Sequence, residues 1–158
     1  MPSAFEQNII DKVESHGWFA ISVAPAMDSD DPDEWFTYTI GLAKTYGWPE
    51  IIIFGLDGKT AHGVIADAIA ECVDTERAPE PGLELTQTLK SRTALLTDAS
   101  HLASVYFSSA LWFAGYVKLP LPLKRVQLLW PDTNGRFPTD PECDAQVRKL
   151  QTPLNFSA

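Results

Sequence analysis

The sequence predicts an α+β fold, a single domain on a mixed, mainly antiparallel sheet that could curl into a barrel, with about three helices. Three observations carry this. Two period-two apolar runs, at 18–24 and 35–40, flank a short loop and suit paired strands. An unbroken Ile-rich run at 50–54 suits a central strand covered on both faces. Stretches with apolar residues three and four apart supply the helices.

In chain order, Ser3 followed three residues later by Glu6 is a capping-box signal. Phe5, Ile9 and Val13 then share a helix face, and Gly17 is the stop. Phe19, Ile21 and Val23 alternate until Pro25, which has no backbone donor. Residues 27–34 form an acidic loop, and Phe36, Tyr38 and Ile40 alternate after it, so the two strands are expected to pair. After the strand at 50–54, Gly55 breaks the run. Ala61, Val64, Ile65, Ala68, Ile69 and Cys72 then predict a second helix, with Asp57 or Thr60 as its cap. The Pro- and Gly-rich segment 78–82 ends that pattern. Further strands are expected at 83–89 and 93–97, and a third helix from about Asp98 to Gly115. Val126, Leu128 and Trp130 alternate in the last strand, and Asn134-Gly135 is a turn leading to Arg136-Phe137. The whole chain, 1–158, reads as one domain, with a less ordered tail from 139 to 158.

Composition narrows the functional classes. The chain has 158 residues, 45% of them apolar, which allows a sizeable core. Twelve basic against twenty-one acidic side chains give a charge of −9, which repels nucleic acid and anionic lipid. The start lacks a basic segment followed by an apolar one, so the expected location is the cytoplasm. Cys72 and Cys143 are too few for a disulfide scaffold and read as structural thiols. Residues 99–117 carry no Lys, Arg, Asp or Glu, but their serines and His101 suit a buried helix better than a membrane span.

Several motifs approach a known chemistry and miss it. The Gly58-Lys59-Thr60 ending resembles a phosphate loop, but the first glycine of that loop would fall at Ile53. Asp28, Asp30, Asp31, Asp33 and Glu34 lack the turn glycine of a calcium loop and read as a solvated acidic run. His16, His62 and His101 are scattered, so no metal site is expected. Asp67, Ser100 and His101 offer triad residue types without a Gly-x-Ser-x-Gly elbow. His62 and Lys59 lie near the start of the second helix, where an anion would be favoured over a cation. The densest cluster is Trp130-Pro131-Asp132-Thr133-Asn134-Gly135-Arg136-Phe137-Pro138, read as a rigid turn closed by an Asp132–Arg136 pair.

Three segments together carry a resemblance: Phe36-Thr37-Tyr38-Thr39-Ile40-Gly41-Leu42; Trp48-Pro49-Glu50-Ile51-Ile52-Ile53-Phe54-Gly55-Leu56; and Gln127-Leu128-Leu129-Trp130-Pro131-Asp132 with Gly135-Arg136-Phe137-Pro138. In this order they resemble the bacterial domain of unknown function 4262, from Gly17 through Pro138. The resemblance implies a single domain and brings no catalytic residues. The chain departs from it at Thr139-Asp140, where an aromatic followed by an acid is expected.

The leading functional expectation is a small ligand- or partner-binding or regulatory module. Its pocket would lie between the segment 38–42 and the turn 130–137. Tyr38, Trp48, Trp130 and Phe137 would supply apolar walls and Thr39 and Arg136 the polar contacts, with Gly41 and Asp132 completing the expected ligand-binding residues. One alternative is an oxidoreductase on a flavin-binding split barrel, with backbone donors at 39–42 contacting the flavin. Another is a homodimer using the uncharged helix around Leu102, Val105, Tyr106, Phe107, Leu111, Trp112 and Phe113. The partners expected are thus a small molecule, a protein or a second copy, with no nucleic acid and no membrane.

Overall fold

In a computed structural model of the chain, which describes residues 2–23, 35–89, 92–100, 102, 104–120 and 122–151, helix α1 (Ala4–His16) opens with the expected capping box. The Ser3 hydroxyl accepts the Glu6 amide at 3.1 Å, and the Glu6 carboxylate accepts the Ser3 amide at 2.8 Å. Gly17 ends the helix in the left-handed region. Strands β1 (Phe19–Val23) and β2 (Phe36–Ile40) pair antiparallel, as their alternation predicts. The acidic loop between them lies outside the described residues.

A five-residue helix, α2 (Leu42–Tyr46), leads to β3 (Glu50–Phe54), and Asp57 caps helix α3 (Gly58–Thr75) by accepting the Thr60 amide. Strands β4 (Glu84–Leu89) and β5 (Arg92–Asp98) form a hairpin whose register shifts between Leu85 and Leu89. Glu71 of α3 occupies the irregularity: it accepts the amides of Thr86 and Gln87 and the Thr88 hydroxyl at 2.8–2.9 Å. A 3-10 turn (Ser104–Phe107), helix α4 (Ser108–Tyr116), strand β6 (Arg125–Leu129) and helix α5 (Ala145–Leu150) complete the order.

The six strands form one sheet ordered β1-β2-β3-β6-β5-β4, in which only β3 and β6 are parallel. It is open, with β1 and β4 at its edges, so the expectation of barrel closure is corrected. Helices cover both faces instead of the sheet folding on itself. Ile52 and Phe54 join Tyr38, Ile40, α1 and α4 on one face, whereas Ile51 and Ile53 join α3, Val126 and Leu128 on the other. That two-sided burial is why β3 is continuously apolar. Five α-helices occur among the described residues, three of them long, against about three expected.

One further expectation is corrected. The third helix does not start near Asp98: Asp98 ends β5 opposite Val126, and the Ala99 amide donates to the Arg125 carbonyl. Arg125 also donates to the carbonyls of Ser100 and Leu102, occupying acceptors that a helix would need. The Asn134-Gly135 turn forms as expected, and Asp132 closes it by accepting the amides of Asn134 and Arg136. Within residues 139–151, which the sequence places in the tail, α5 forms and Cys143 and Gln151 are buried while most of the other side chains stay at the surface. Gln151 is fully buried, accepts the Trp130 amide and donates to its carbonyl. Among the described residues no helix is long and apolar enough to cross a membrane.

Candidate functional site

The site begins with a charge in an expensive place. Glu50 starts the apolar strand β3, is 2% exposed, and has no ion-pair partner among the described residues. Hydrogen bonds compensate in part. Its Oε1 accepts the Thr39 hydroxyl at 2.7 Å and the Leu42 amide at 3.2 Å, and Oε2 accepts the Ala43 amide at 3.0 Å. These bonds favour the carboxylate, but burial outweighs them and pushes the carboxyl up to about 7. Thr39 completes the connection by accepting the Ile51 amide at 2.9 Å.

Gly41 lets the chain turn sharply above this carboxylate. Its φ is +101°, and a Cβ there would sit 2.8 Å from both methyls of Val13. Only glycine therefore allows α1 and the start of α2 to meet so closely. Gly47 ends α2, and Trp48 stacks on Tyr46 with centroids 4.3 Å apart. A cleft of about 330 Å³ lies beside them, lined by Ala43, Gly47 and Trp48 on one side and by Leu119, Pro120, Pro122, Leu123 and Lys124 on the other. The Glu50 amide donates to the Lys124 carbonyl at 2.9 Å, so one residue fixes both walls.

The pocket expected from the sequence is not formed as one site. Thr39, Gly41 and Trp48 gather at the Glu50 end of β3, whereas the Trp130 indole donates to the Phe54 carbonyl at the other end. Five residues of strand separate these ends by about 13 Å. Antiparallel β2 and parallel β6 run so that 38–42 and 130–137 leave the sheet at opposite ends. Tyr38 points into the core, where its hydroxyl accepts the Ser109 amide at 3.2 Å. Trp130 lines a separate cleft with Pro131, Leu56, Val64, Leu89 and Arg92.

Asp132 is buried and accepts three amides, from Asn134, Arg136 and Asp144, each at 2.9 Å. The Asp144 and Arg136 amides hold its carboxyl below the usual range. Its carboxylate is engaged by backbone, so the expected Asp132–Arg136 closure gives way to an Arg136–Glu142 pair at 3.4 Å. Phe137 is half-buried beside this turn. Burial pushes the Cys72 thiol up to about 11, leaving it a poor nucleophile at neutral pH.

The flavin alternative needs a split barrel and free amides at 39–42. The sheet is open, and Glu50 takes the amides of Leu42 and Ala43. In the apolar segment offered as a dimer seam, Phe107, Ala110, Phe113 and Ala114 are buried within their own chain, while Leu111 and Trp112 are half-buried. Sequence reasoning missed Glu50, although a carboxylate opening an otherwise apolar strand directly after Pro49 was a readable signal.

These features define a class: an α+β domain with one open mixed sheet between two helical layers and a buried carboxylate bracing a surface cleft. Residues 12–144 match the model of the family described as Domain of unknown function (DUF4262), and the chain belongs to that family. Comparisons with curated proteins and with solved structures give no match.

Proposed function

We propose that the protein is a small-molecule-binding module whose ligand, mainly apolar and no larger than a few rings, sits in the cleft against Trp48. The supporting observation is the placement of Glu50. A buried, unpaired carboxylate opposes folding, and such departures from good packing are expected where a fold positions a functional surface. Here the carboxylate orients the amides of Leu42 and Ala43, and Ala43 belongs to the cleft wall. The cleft has the size and the aromatic, mostly apolar lining of a ligand site, with Lys124 as its cation.

The reading is tested by nuclear magnetic resonance titration of the full chain with indole and with indole-3-acetate. Shifts should centre on the amides of Ala43, Gly47 and Lys124 and on the Trp48 indole. Trp48→Ala should weaken both probes by about tenfold or more, and Lys124→Gln only the acetate. Shifts centred elsewhere, or unchanged affinity in Trp48→Ala, would overturn it.

A further inference from the structure

A second cleft, of about 500 Å³, lies between the end of α1 and the start of α3 and is lined by Lys12, His16, Trp18, Phe19 and His62. It is separate from the Trp48 cleft and shares no lining residue with it. We propose that it binds a small molecule combining a flat ring with a phosphate group, the chemistry of a nucleoside monophosphate.

The polar groups sort by helix geometry. Lys12 and His16 are four residues apart and lie on one face of α1. The helix's neighbouring acids are turned to other uses: Asp11 accepts the Gln7 side-chain amide at 3.0 Å, and Glu14 lines a different cavity with Ile10 and Val13. The cleft lining thus contains one ammonium and two imidazoles and no carboxylate, in a chain of charge −9. The rings are also positioned. Trp18 follows Gly17, whose carbonyl accepts the Thr45 hydroxyl at 2.6 Å, and the indole packs on the α3-facing core. His62 stacks on it with centroids 5.5 Å apart and planes 30° from parallel. Trp18 is half-buried and His62 is exposed, so the pair offers ring surface to a third flat group.

The two halves of the ligand are required together. The protein's net negative field opposes a bare anion, so one ammonium with neighbouring imidazole donors is insufficient without stacking. A ring alone leaves Lys12 and His16 unused. Phosphate satisfies both, because an ammonium and an imidazole can each donate to its oxygens.

The test titrates the full chain with adenosine monophosphate, phenyl phosphate, adenosine and inorganic phosphate, following the Trp18 indole and the His62 ring by nuclear magnetic resonance. Adenosine monophosphate should bind about tenfold or more tightly than adenosine or phosphate alone. His62→Ala should weaken it by a similar factor. Lys12→Gln with His16→Gln should weaken adenosine monophosphate and leave adenosine unchanged. All three side chains are exposed, so these variants keep the fold. The proposal is overturned if neither phosphorylated ring compound shifts these resonances at millimolar concentration. It is also overturned if adenosine binds as well as its monophosphate, or if the double variant retains full affinity.

Discussion

Thr39 and Glu50 are joined by a 2.7 Å hydrogen bond in which the hydroxyl donates to a carboxylate oxygen while accepting the amide of Ile51. The bond links β2 to the first residue of β3 and, through the same carboxylate, to the first turn of α2. Four outcomes follow from it and from the other braces of the fold.

Stability should fall as pH rises from about 4.5 to about 7. The native Glu50 retains its proton up to about 7, against an ordinary value of 4.5, so the unfolded chain releases that proton first. The contribution is complete below 4.5, declines through this window and is flat above it, a change of about 3 kcal/mol. Denaturant unfolding at a series of pH values measures it. Glu50→Gln should remove the slope, and an unchanged slope in that variant would assign it to other groups.

Thr39→Val should cost about 2–3 kcal/mol, because it leaves the buried Ile51 amide without its acceptor and removes a donor from Glu50. The same change should move the Glu50 midpoint upward, since that donor favours the ionised form. Thr39→Ser should restore most of both effects.

Asp132 acts in the opposite pH direction. Its carboxyl is held low by backbone donors, so its stabilisation is present above its ordinary value of 3.8 and is lost as pH falls further. Asp132→Ala should lower the melting temperature at neutral pH, diminish the acid limb of the stability profile and speed proteolysis within residues 132–144. An acid limb of unchanged depth would show that other groups generate it.

Gly55→Ala should release α5. Gly55 has φ +86°, and a Cβ there would lie 2.5 Å from the Leu150 carbonyl oxygen, a contact that backbone cannot relieve by a rotamer change. Hydrogen exchange should quicken at the Trp130 amide, which donates to Gln151, while amides of β2 keep their protection. Equal protection at Trp130 in both proteins would mean that α5 tolerates the extra atom.

Local signals read well from sequence because their causes are local. The Ser3–Glu6 capping box, the Gly17 stop, the Asp57 cap and the two-sided apolar run of β3 all depend on residues a few positions apart. Helices α2 and α5, at five and six residues, are too short to show a period. The start of α4 depends on Arg125 claiming carbonyls more than twenty positions back, which no local pattern reveals. The same limit governed the site. Thr39, Gly41 and Trp48 lie along the short β2–α2–β3 connection, so their nearness is local, whereas their relation to Trp130 and Arg136 depends on the strand order. That order places the two groups at opposite ends of the sheet.

The sole parallel pairing among the described strands joins β3 to a partner some seventy residues later. During synthesis β1, β2 and β3 can zip together as soon as they emerge, and β4 with β5 can do the same. Each half-sheet nonetheless exposes a bare flank until residues 125–129 arrive to bridge them. β6, the last of the described strands to be made, is thus the keystone, and translation must pass it before either half is sealed against its neighbours on a crowded polysome.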